Sequence, residues 1–205
     1  MSFATTFARA LIPAALVVAP ATAIAAKNAD LAKVEAHLKS VDTMTADFSQ
    51  TDSKGRTLSG TLQLKRPGHI RFDYGKANVL VVADGRKLVF IDYDVGQKSS
   101  WDLNKTPLGV LLSDNPDLAR IARIQPSSDP RIVVVRALDP SHNEYGTLIL
   151  AFIKDPASPG GLKLYGWTAV DAQGKRTMVR LTNQRYNVAV SPSAFTYAEP
   201  KKRRG

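Results

Sequence analysis

The stretch LKRPGHIRFDY, Leu64 to Tyr74, decides how the chain is read. Before it, RTLSGTLQL (56–64) alternates polar and apolar residues as a strand with one buried face does, and IRFDY (70–74) resumes that alternation. Between them, Pro67-Gly68 marks a hairpin corner. A turn has no need of Lys65 and Arg66, two cations on the last rungs of a strand whose other face is apolar.

Working outward, MTADFSQ (44–50), TLSGTLQL (57–64), HIRFDY (69–74), NVLVVA (78–83), KLVFID (87–92) and QKSSWDL (97–103) are strand-like runs separated by short turn signals, Asp84-Gly85 being the strongest. Connections this short leave no room for crossover helices, so the strands form an antiparallel meander. Strands return as RIVVVRAL (131–138), GTLILAFI (146–153), LKLYGWTAV (162–170) and RTMVRLTNQRY (176–186), joined by DPSHNEY, DPASPGG and DAQGK. The reading is a mainly β chain of about ten to eleven antiparallel strands.

Helices are expected in two places. In KNADLAKVEAHLKSVDTM (27–44), Leu31, Val34, Leu38 and Val41 recur at helical spacing, with Asn28 or Asp30 able to cap the start. NKTPLGVLLSDNPDLARIARI (104–124) interrupts the strands with two cap-then-proline starts, Thr106-Pro107 and Asn115-Pro116. Its first helix, with Leu108, Val110, Leu111 and Leu112 around Gly109, is too short to stand alone and must borrow stability from packing. VLVV (79–82) and LVFI (88–91) are apolar on both faces, which predicts that these helices cover the second face.

The first residues have another character. MSFATTFAR carries one cation and no acid, ALIPAALVVAP is an apolar run, and ATAIAAK offers small residues to a signal peptidase. The run is about half of the ~20 residues that span a bilayer, which points to a cleaved signal over residues 1–26 and not an anchor. A domain over 27–198 and a basic tail over 199–205 follow. The chain has no cysteine, so it forms no disulfide and has no site for lipoprotein acylation. The net charge is +10, and loss of Arg9 with the signal leaves 27 cations against 18 anions. That balance suits anionic headgroups or acidic partners. The cations are scattered except in KKRRG (201–205), which is no nucleic-acid signature, and the tail reads as solvated.

Candidates for catalysis are thin. His37, His69 and His142 show no metal-ligand spacing, no nucleophile elbow or phosphate loop occurs, and Asp92 and Asp94 flank Tyr93 as strand-end carboxylates do. No cofactor and no enzyme activity are expected. The chain does have an apolar surface. Phe48, Leu62, Leu64, Ile70, Phe72, Val81, Phe90, Leu148, Phe152 and Trp167, together with Met44 and Met178, would face inward if the strands pair as read. Such a set is ordinary core or, under weakly stable helices, the lining of an apolar pocket.

With VLVVADGRKLVFIDYDVGQ behind LKRPGHIRFDY, and TMTADFSQTDSKGRTLSGTLQLKRPG and TPLGVLLSDN in the same order, the chain resembles the LolA-type outer-membrane lipoprotein carriers over about Leu31 to Asn115. Ile70 and Phe72 stand where many relatives carry larger aromatics, and KLVFIDY lacks a tryptophan often seen in that strand. The resemblance implies an incomplete, half-open barrel with an N-terminal helix and lid helices over an apolar cavity. It implies a periplasmic, monomeric carrier that takes acylated lipoproteins from an inner-membrane ABC-type releasing complex to the outer membrane or its lipoprotein receptor. On that basis the ten inward residues line an acyl-chain cavity, Leu108, Val110, Leu111 and Leu112 belong to the lid, and Arg66 ties the sheet to the lid. A guanidinium offers five donors on a long stem to helix-end carbonyls that lack partners. Lys65 is left as a turn cation. A same-fold binder of another lipid, or a lipid- or stress-sensing regulator, stays open beside this reading.

Overall fold

The computed structural model describes residues 21–106, 108–113 and 118–201, without the side chains of 21–28, 110 and 143. Residues 1–20 of the expected signal, Pro107, Asn115, Pro116 and the last four residues of the basic tail lie outside the described residues. Eleven strands form one antiparallel sheet: β1 (Thr43–Thr51), β2 (Thr57–Lys65), β3 (His69–Asp73), β4 (Val79–Asp84), β5 (Lys87–Asp92), β6 (Gln97–Asp102), β7 (Ala122–Gln125), β8 (Ile132–Ala137), β9 (Thr147–Lys154), β10 (Leu162–Val170) and β11 (Arg176–Tyr186). Across the sheet they stand in the order β6-β5-β4-β3-β2-β1-β11-β10-β9-β8-β7. The edge strands β6 and β7 do not pair, so the sheet stays open.

The sheet is nevertheless strongly curved. Phe72 on β3 and Trp167 on β10 are four strand steps apart, about 19 Å along a flat sheet at ~4.8 Å per step, yet their ring centres are 6.0 Å apart. The trough is filled from the chain's two helical segments. Helix α1 (Ala21–Ser40) buries Val34 and Leu38 and half-buries Leu31, with Val41 buried just beyond it, on the face the spacing predicts. Its contacts include β7, β10 and the Pro159–Gly161 turn. The segment joining β6 to β7 carries a 3₁₀ turn (Leu103–Lys105) and two short helices, α2 (Leu108–Leu112) and α3 (Leu118–Ile121). Because β6 and β7 are opposite edges, this connection has to pass from one side of the trough to the other.

Four expectations need correction. Helix α1 already runs through Ala21–Ala26, ahead of the expected caps Asn28 and Asp30, because ATAIAAK is alanine-rich and favours helix. The second interlude helix stops at Ile121, and ARIQ pairs with β8 as β7. Repeating ARI satisfies either period, and the pairing decides. The second face of β4 and β5 is covered by the C-terminal segment, with its 3₁₀ turn Pro192–Phe195, and not by either expected helical segment: Leu80, Val82, Val89 and Ile91 pack with Val190 and Phe195. Arg71 donates to the carbonyls of Ala194 and Thr196 at 3.3 and 3.2 Å, which holds that segment down. Finally, Met178 is exposed at 46% while its neighbour Val179 is buried, because Val179 pairs with Gln50 and Trp167 on the inner face.

Candidate functional site

The strand registers place the predicted inner residues side by side. Met44, Leu64 and Ile70 form one row across β1–β3; Ala46, Leu62, Phe72, Val81 and Phe90 form the next across β1–β5. On the other half, Phe152 pairs with Leu164 and Leu148 with Ala169. Phe48 touches Phe72 and Tyr74 edge-on at 5.2 and 5.0 Å. Edge-to-face contacts of this kind suit the ring quadrupole and hold the aromatics in fixed orientations.

Not all of these residues border open space. Leu62, Leu64, Ile70, Leu148 and Phe152 are at most 2% exposed, covered by the helices or by one another. Phe152 sits under α1, its ring 5.4 Å from that of His37. A cavity of about 230 Å³ remains, and Phe72, Val81 and Trp167 line it together with Leu108 of α2. Phe90 borders a neighbouring groove of about 350 Å³ with Leu58 and Val79. Gln50 and Tyr74 line both spaces. The Tyr74 hydroxyl donates to Gln50 Oε1 at 2.8 Å, and burial pushes its pKa up to about 12, so it remains a neutral donor.

Some lining residues escaped the sequence reading. Leu88, Tyr74 and Val179 were legible in the alternation of their strands. Gln50 and Thr106 were not, since a polar residue near a strand end or just before a helix carries no burial signal of its own.

The cover over this cavity is slight. Leu111 and Leu112 of α2 are each 1% exposed and Leu108 is half-buried; the side chain of Val110 lies outside the described residues. Thr106 precedes the helix, its carbonyl accepting from Gly109 N at 3.0 Å and its hydroxyl donating to Leu103 O at 2.7 Å. A Cβ on Gly109 would lie 2.8 Å from Leu103 O, so only glycine lets α2 settle on the 3₁₀ turn before it. A five-residue helix has almost no stability of its own and depends on what receives its end carbonyls.

The β2–β3 corner receives them. Arg66 Nη1 donates to Ser113 O at 2.8 Å and Gly68 N donates to Leu112 O at 3.0 Å. Arg66 Nε donates to Val41 O at 3.0 Å, just past the end of α1. One guanidinium therefore links the strand end to carbonyls following both helices.

The three histidines are apart. His37 is buried in the α1 contact, with its Nδ1 2.7 Å from Pro159 O; burial is the main cause of its lowered pKa. His69 lies beside Pro67 O and Phe195, and His142 stacks on Tyr145. Among the described residues no three His, Cys, Asp or Glu side chains are grouped to hold a metal. Asp92 accepts from the backbone of Asp94 and Val95, and Asp94 from Asn78, as turn carboxylates do.

Comparison with known proteins bears on this arrangement. Residues 39–198 match the family model described as outer membrane lipoprotein carrier protein LolA. The chain is 27% identical over 197 residues to an outer-membrane lipoprotein carrier protein of Chromobacterium violaceum, covering 91% of this chain and 92% of that one. With a protein of the same name from Pseudomonas aeruginosa the identity is 28% over 204 residues, covering 94% of each. Among solved structures, a LolA superfamily protein from Nitrosomonas europaea aligns with 83% of this chain and 97% of its own at a TM-score of 0.43 and 12% identity. The match to the family model, covering most of the chain, makes this protein a member of the LolA family of outer membrane lipoprotein carrier proteins.

Proposed function

We propose that the protein is a periplasmic carrier that accepts lipoproteins released from the inner membrane, shields their acyl chains against the inner face of the sheet and delivers them to the outer membrane. The observation that carries this reading is a broad apolar trough whose remaining cavity is covered by a five-residue helix. At about 230 Å³, the cavity falls below the ~300–1,000 Å³ of ordinary ligand pockets. The described conformation therefore corresponds to an empty carrier, and cargo must displace the α2 segment to reach Phe72, Val81 and Trp167.

On this reading, residues 1–26 are removed on export, an ABC-type complex in the inner membrane supplies the cargo, and the outer membrane or a receptor there takes it. No chemistry is asked of the protein. Mass spectrometry of ligand copurifying from the periplasm tests the proposal: acylated peptides support it, and free lipid alone would replace it with a carrier or sensor of another lipid.

A further inference from the structure

Charge is unevenly divided across the sheet. Strands β1–β6 contain five aspartates and four lysines or arginines, whereas β7–β11 contain seven lysines or arginines and no acid. Of the seven, Lys154 faces α1, 4.0 Å from Asp30. The other six alternate with the buried inner residues and so lie on the convex face.

Arg123 turns back onto the carbonyls of Ala119 and Ala122 at 2.8 and 2.7 Å. Arg136, Lys163, Arg176, Arg180 and Arg185 have no carboxylate partner among the described residues. Acids of the adjoining turns are committed locally: Asp129 to Arg131, Asp139 to Arg120, and Asp171 to the backbone N–H groups of Gln173 and Lys175. Arg123 and Arg136 even stand directly opposite each other. A like-charge pair in that position costs stability, and a counter-charge from outside would relieve it.

Apolar surface lies among these cations. Ile132, Val134, Ile149 and Ile153 are half-buried on the same face and join neither of the two buried clusters of the fold. Tyr165 and Met178 beside them are 40% and 46% exposed. The convex face of β4 and β5 differs, because the C-terminal segment covers it.

We propose that the convex face of β7–β11 docks on an anionic phospholipid surface. Cations spread over a broad face and interleaved with aliphatic side chains match an interface where headgroups meet acyl chains. A single acidic protein partner would more naturally meet a localised basic cleft. Docking by this face leaves the trough and α2 directed away from the bilayer. The proposal goes beyond cargo carriage and concerns the protein without cargo.

The test is flotation of the cargo-free exported protein with vesicles of phosphatidylcholine alone or mixed with phosphatidylglycerol. Binding should require the anionic lipid. It should fall as salt rises from about 0.1 to about 1 M, which shortens the screening length from about 10 to about 3 Å. Each cation removed should weaken binding about fivefold, so Arg136→Gln with Arg180→Gln should lose about 25-fold, with folding checked by circular dichroism. Lys65→Gln with Arg86→Gln, and deletion of residues 202–205, should bind like the parent. Equal flotation on neutral vesicles, parental binding by the Arg136/Arg180 variant, or loss on deleting the tail would each overturn the proposal. None of these results bears on lipoprotein loading, so carriage stands or falls separately.

Discussion

Replacing Arg66 by leucine removes the bond from Nη1 to Ser113 O at 2.8 Å and the bond from Nε to Val41 O at 3.0 Å, while the Gly68 N to Leu112 O bond remains. Of these two bonds, the one to Ser113 joins the sheet to the end of the α2 segment and must break when α2 moves. A hydrogen bond from a charged donor is worth ~1.5–3 kcal/mol, so its loss should shift the closed-to-open equilibrium by roughly ten- to a hundred-fold. Arg66 is partly exposed, where water competes for the same carbonyl, which argues for the lower end. If the bond stabilises the empty state against cargo, Arg66→Leu should load lipoprotein normally and retain it. Transfer from a purified, preloaded complex to acceptor membranes should then slow by about tenfold or more. Arg66→Lys should fall between the two, keeping the charge without the planar fork that reaches two carbonyls at once. Wild-type release from Arg66→Leu, or failure to load with the fold intact, would refute the reasoning and leave Arg66 a structural clasp.

Other perturbations probe separate parts of the molecule. Leu88→Glu places a carboxyl in the cavity wall, where binding would desolvate it; uptake of an apolar fluorescent probe should fall several-fold, and unchanged uptake would mean that this space is not where apolar ligands enter. Gly160 has φ +63°, and a Cβ there would lie 2.6 Å from His37 N, so Gly160→Ala should loosen the α1 contact and cost about 1–3 kcal/mol in denaturant unfolding. His37 is buried and its pKa is lowered, chiefly by burial with Arg66 adding to it, so the folded protein binds the proton less readily than the unfolded chain. Its contribution is complete above the ordinary value of 6.5 and is lost as pH falls through that value toward the folded pKa; His37→Gln should flatten stability over that window.

Most strands were legible because their signal is local. In HIRFDY and TLSGTLQL each side chain declares its face by alternation, and the Pro67-Gly68 and Asp84-Gly85 corners fix where one strand ends and the next begins. The helical spacing of Leu31, Val34, Leu38 and Val41 was equally plain, since the surface that buries them selects a 3.6-residue period. The candidate cavity was legible in part for the same reason, through Phe72, Val81 and Trp167.

Local sequence carries which residues are apolar, at what period they recur, and where turns interrupt them; an antiparallel sheet with one long helix and one helical interlude follows from that, and its openness does not. What covers each face was decided only in three dimensions, because burial depends on contacts between residues far apart in the chain. VLVV and LVFI announce two buried faces without saying that Val190 and Phe195 supply the second cover. Met178 and Val179 are both apolar, and the pairing of Val179 with Gln50 and Trp167 chooses between them. ARIARI divides into helix and strand because β8 offers Ala122–Gln125 a hydrogen-bonding edge. Arg66 reaches carbonyls at positions 41 and 113, a separation of 72 residues that no local pattern records and that curvature of the sheet and passage of the chain between its edges bring within one guanidinium.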